Sequence, residues 1–78
     1  MFKVGEIVKI DKDEMEESGV GYLEIDYQHD FKIISKEDYQ GDVELQYYQL
    51  MDNVTEETVM LNETYPYSFI EAEMRKAR

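Results

Sequence analysis

The chain has 78 residues, 19 acidic against 8 basic side chains, a net charge of −11 at pH 7, seven tyrosines, three phenylalanines and no cysteine. That length holds one domain (1–78) around a modest core, which a homodimer would supplement, and the absence of cysteine excludes disulfide staples, thiolate metal sites and thiol nucleophiles. The charge excludes a basic phosphate-binding face, and the aromatic content sets the chain apart from acidic disordered segments.

Alternation predicts a first strand over residues 2–10, with Val4, Val8 and Ile10 on one face and Gly5 marking a bend. Residues 11–19 (DKDEMEESG) read as a long acidic loop. Residues 21–28 alternate again and predict a second strand, with Leu23, Ile25 and Tyr27 inward and Glu24 and Asp26 outward. A turn at Gln28-His29-Asp30 would make it a hairpin with a strand over 31–35, in which Phe31 and Ile33 face the core. Residues 36–41 form a polar link. The clearest strand spans 42–51, with Val43, Leu45 and Tyr47 on one face and Asp42, Glu44 and Gln46 on the other. A short fifth strand is expected over 57–61. Ser68-Phe-Ile-Glu71 matches a capping box, which predicts a short C-terminal helix burying Ile70 and Met74. The expected core is Val4, Val8, Ile10, Leu23, Ile25, Phe31, Ile33, Val43, Leu45, Leu50, Ile70 and Met74.

Four or five short strands without a parallel crossover predict a mainly β fold, a small antiparallel barrel with a short terminal helix. The opening segment Phe2-x-Val-Gly-Glu-Ile-Val-Lys-Ile10 resembles the first strand of SH3-like (KOW-type) barrels. Tyr48-Gln-Leu50 with Phe69-Ile-Glu-Ala-Glu-Met74 is similar to their closing strand and helix. The resemblance implies a single acidic SH3-like domain and says little about function, because such barrels host many.

Charge is unevenly placed: residues 1–36 have a net charge of −4, residues 37–74 carry ten carboxylates and neither lysine nor arginine, and the last four residues restore +3. A one-signed surface of this extent serves solubility or attracts a cationic partner. Metal binding has little to recommend it, since neither Asp11, Asp13, Glu16 and Glu17 nor the stretch from Asp52 to Glu63 has the glycine and ligand spacing of an EF-hand loop. Catalysis fares no better. His29 is the sole histidine and has no identifiable nucleophile beside it, and Ser18, Ser35 and Ser68 fit turn or cap chemistry. The expectation is a protein that is not an enzyme and takes no cofactor or metal. The sequons Asn53-Val-Thr55 and Asn62-Glu-Thr64 read as coincidental in a chain without a secretion signal or membrane segment, which places it in the cytoplasm.

Binders of nucleic acid interleave aromatics with Lys and Arg. Here the aromatics alternate with Asp and Glu, the charge pattern of the ligand itself. On a strand, the pairs Glu24/Asp26 and Asp42/Glu44 would stand about 6.8 Å apart, close to the phosphate repeat of one nucleic-acid strand. In size and acidity the chain resembles small bacteriophage host-takeover proteins that mimic DNA, among them inhibitors of the nucleoid protein HU and of the sliding clamp. The expected partner is a basic DNA-binding host protein, with no direct contact to nucleic acid or membrane. The expected contact residues are Asp13, Glu14, Glu16, Glu17, Glu24, Asp26, Asp42 and Glu44, with Tyr22 and Tyr48 as surface anchors. The alternative is an SH3-like interaction or structural adaptor whose acidity serves solubility.

Overall fold

The computed structural model describes residues 2–39 and 42–77, with side chains for 2–38 and 46–77. The fold is mainly β. Four antiparallel strands, β1 (Ile7–Ile10), β2 (Phe31–Tyr39), β3 (Asp42–Asp52) and β4 (Met74–Lys76), form one open sheet in the order β3-β2-β1-β4. A short helix α1 (Lys12–Glu17) follows β1, and a 3-10 turn (Glu71–Glu73) leads into β4. No helix among the described residues is long and apolar enough to cross a membrane.

Val8, Ile10, Leu23, Phe31, Ile33, Leu50 and Met74 are buried as their alternation predicts, joined by Phe2, Met15, Tyr48, Val59 and Phe69. The expected core residues Val43 and Leu45 have side chains outside the described set. Val4 departs from the expectation, at 59% exposure, because residues 3–6 turn instead of extending β1. Gly5 at φ +93° permits that turn, closed by Glu6 N–H donating to Lys3 O (3.0 Å) and anchored by Gly5 N–H on Ile33 O (2.7 Å).

The expected acidic loop at 11–19 contains α1. Asp11 caps it, its Oδ1 accepting from Asp13 N–H (3.0 Å) and Glu14 N–H (3.2 Å). Its end is a Schellman closure: Gly19 N–H donates to Glu16 O and Val20 N–H to Met15 O, with Gly19 at φ +78°. Met15 seats the helix on the core.

Residues 21–30 form no strand and no hairpin with β2. Leu23 is buried and Ile25 and Tyr27 pack half-buried, so the inward set was correct. Two of the segment's backbone bonds are local turns instead, Leu23 N–H to Val20 O and His29 N–H to Asp26 O, and β2 pairs with β1 and β3.

β2 runs through the expected link at 36–39. A bulge at Ile34 sets Ile33 opposite Leu50 but Ser35 opposite Gln49. That extra residue shifts the strand's phase, so Lys36 turns toward Tyr48 and its Nζ bonds Phe2 O at 3.2 Å. On β3 the register places Leu50 beside Ile33 and Tyr48 beside Lys36. Tyr48 is therefore the buried member and Tyr47 only half-buried, the reverse of the expected phase. Phe2 meets the Tyr48 ring edge-on at 6.0 Å.

Residues 57–61 form no full strand. Val59 N–H reaches Leu50 O (2.8 Å), and only isolated bridges, Met51 with Thr58 and Met60 with Pro66, form there. The terminal helix is a single 3-10 turn beginning after Ile70, not at Ser68, and Ile70 is exposed while Met74 is buried. Glu73, not Glu71, reaches back to the cap: its Oε1 accepts from Ile70 N–H at 3.0 Å.

Candidate functional site

Two irregular segments, 21–30 before β2 and 53–67 after β3, face each other across an open groove of about 820 Å³. Each wall is shaped by polar side chains binding nearby backbone. Asp26 Oδ1 accepts from Gln28 N–H (3.1 Å), turning the first wall. On the second, Asp52 Oδ1 accepts from Val54 N–H (2.8 Å) and Thr55 N–H (3.3 Å), and Asn62 Oδ1 from Thr64 N–H and Tyr65 N–H (both 2.8 Å). Both sequon asparagines lie in these turns, and Glu56 takes a left-handed φ of 63°.

A histidine joins the walls. His29 Nδ1 lies 2.7 Å from Asp52 Oδ2 and Nε2 lies 3.1 Å from Asp26 Oδ2, while Asn53 N–H donates to Asp30 O at 2.9 Å. The hydrogen bond to Asp52 is the main reason the imidazole pKa is raised above 6.5; the charges of Asp26 and Asp52 add to it, while desolvation and Lys9 oppose it. Burial pushes the Asp52 carboxyl up, but hydrogen bonds from His29, Val54 N–H and Thr55 N–H outweigh it and leave the pKa below 3.8. Lys9 is itself held by Asp30 Oδ1 (2.8 Å) and Gln28 O (2.6 Å). His29 Nδ1 is thus engaged by Asp52, and Nε2 pairs with the Asp26 carboxylate when the ring is protonated.

Leu23, Phe31 and Val59 form the buried floor, continuous with the core, while Tyr22 (69% exposed), Met60 (39%) and Leu61 (41%) stand at the opening. Exposed Glu24, Asp26, Glu57 and Glu63 share the lining with Asp52, and among the described lining residues there is no lysine or arginine. No group of three or more metal-ligating side chains occurs among the described residues.

Of the expected contact residues, the structure brings Tyr22, Glu24 and Asp26 together in this groove. Asp26 is partly committed to His29, and because residues 24–26 are not a strand, the phosphate-like spacing expected for that pair does not apply. Asp13, Glu14, Glu16 and Glu17 sit on α1 instead, and the side chains of Asp42 and Glu44 lie outside the described set.

Tyr48 is not a surface anchor. Fully buried, it donates to Glu71 Oε1 at 3.0 Å, with Gln46 Oε1 3.2 Å away. Burial and then the bond to Glu71 raise its pKa. Tyr67 donates likewise to Glu73 Oε2 (2.8 Å), and Glu73 is only 1% exposed. Glu71 and Glu73 thus serve internal structure, whereas Glu57, Glu63, Met60 and Leu61, absent from the expected contact set, line the groove. Their link to Tyr22 and Glu24 is long-range, and no local pattern announces it. No protein-family model, curated protein or solved structure matches the chain.

Proposed function

We propose that this chain is a non-catalytic, cofactor-free binding protein that captures a basic DNA-binding protein by offering carboxylates where that partner would meet phosphates. The observation that carries the reading is the groove in which Glu24, Asp26, Glu57 and Glu63 converge among described lining residues that include no lysine or arginine. A field of one sign in a concave site attracts and steers a cationic surface, and it needs no base-like readout. The setting that fits is the cytoplasm of a bacterial cell taken over by a bacteriophage, with an HU-type nucleoid protein as the kind of target. In competition, the chain displaces such a protein from labelled duplex DNA at low salt and loses that effect as the Debye length falls from about 10 Å at 0.1 M to about 3 Å at 1 M. Failure to displace it at low salt would overturn the reading.

A second reading, an SH3-like interaction adaptor, draws support from the 3-10 turn ahead of β4, which returns beside β1, and from the apolar groove floor. An adaptor would keep its affinity in moderate salt.

A further inference from the structure

We propose that the groove holds a flexible, lysine- or arginine-bearing segment of the partner that lays one apolar side chain against the exposed Tyr22, Met60 and Leu61. This deepens the capture reading and rests on it for the positive charge of the occupant.

Charge complementarity supplies the first argument, since Glu24, Glu57 and Glu63 are exposed around the opening. The second is independent of charge. Tyr22, Met60 and Leu61 leave apolar surface open in the same groove that the buried Leu23, Phe31 and Val59 line, where a charged face serving solubility alone would have polar side chains. Exposed ion pairs contribute little each, so the carboxylates attract the segment while the apolar contact sets its position. A concave slot between two loops admits a narrow segment more readily than a globular face. Two other occupants are disfavoured. A second copy would bring another −11 charge to an acidic site, and the chain's own Arg75 and Lys76 are fixed in β4, paired with Lys9 and Val8.

The test uses two labelled peptides of equal positive charge, one with a central phenylalanine and the other with glycine in its place, and polylysine as a charge-only ligand. Fluorescence anisotropy with the full chain should show the phenylalanine peptide binding at least about tenfold more tightly than the glycine peptide, the scale set by burying one large apolar side chain. Leu61→Ser should narrow that gap, and Glu57→Gln with Glu63→Gln should weaken all three ligands. Tyr22→Ser serves the same purpose as Leu61→Ser should the latter fail to fold by circular dichroism. Equal peptide affinities, or a gap that both apolar variants leave unchanged, would overturn the segment proposal; polylysine binding retained in that case leaves cation capture standing. No binding to any of the three at low salt would overturn both.

Discussion

The sheet and the groove walls of this protein are built on different principles. In the sheet, backbone groups pair across strands and period-two side chains fill the core, so register places Ile33, Leu50 and Tyr48. In the walls the backbone instead binds Asp26, Asp52 and Asn62, and one imidazole links the two loops. The sheet therefore depends on volume. The walls depend on a few polar atoms, and through His29 and Asp52 on pH.

The sharpest way to separate the two is to cut the core. Ile33→Ala should cost about 2 to 5 kcal/mol, comparable to the roughly 3 to 5 kcal/mol a single core of this size supplies, and the variant should be unfolded by near-ultraviolet circular dichroism. A parent-like melt would mean that the β2–β3 register is wrong. Next is Tyr67→Phe, which removes a hydrogen bond from the buried Glu73 carboxylate and should destabilise by about 1 to 3 kcal/mol in urea titration. An unchanged midpoint would show that Glu73 finds another donor.

Smaller effects belong to the walls. Asp52→Ala deletes the acceptor for Val54 and Thr55 N–H and should cost about 0.5 to 2 kcal/mol, by analogy with a lost helix cap. It should also lower the His29 pKa, read from the imidazole resonance on titration. The clip has its own pH window. Because the folded His29 pKa is raised, its contribution is complete below 6.5 and lost as pH rises through the folded value; because that of Asp52 is lowered, its contribution is present above 3.8 and lost as pH falls through the folded value. The melting temperature should therefore decline as pH rises above about 6.5 and through the raised folded value, and His29→Gln should flatten that decline. The smallest change in stability is expected for Glu24→Gln, Glu57→Gln and Glu63→Gln together, within about 0.5 kcal/mol per site. The same variant should lose most of its salt-dependent affinity for a basic partner.

Where backbone pairing dominates, the sequence was legible for three of the four strands; β4 was missed, because Met74 was read as part of the terminal helix. Alternation found β1, β2 and β3 and buried Val8, Ile10, Phe31 and Ile33. On β3 the period-two spacing of Tyr48 and Leu50 was a legible signal, with the Val43-Leu45-Tyr47 face competing against it; the bulge at Ile34 lies on β2, is a property of the strand pair and leaves no mark on either sequence alone. Helix α1 was missed although its signals were present: Asp11 followed three residues later by Glu14, Met15 as the apolar contact and Gly19 beyond the end. Charge density concealed it. At the candidate site Tyr22, Glu24 and Asp26 were legible as outward-facing polar or aromatic groups. Glu57, Met60, Leu61 and Glu63 were not, since only tertiary folding sets them opposite. Counting carboxylates also overstates the accessible set, as Glu73 is buried and accepts from the Tyr67 hydroxyl.

The claim that the groove is the capture site is tested most directly by nuclear magnetic resonance, adding an unlabelled basic DNA-binding protein of the nucleoid class to the isotope-labelled chain at low salt. Perturbed amide resonances should cluster at residues 22–31 and 52–63, including Tyr22, Glu57 and Leu61, and should return toward their free positions as salt is raised. Perturbations confined to α1 or to the strands, with those two segments unmoved, would contradict it.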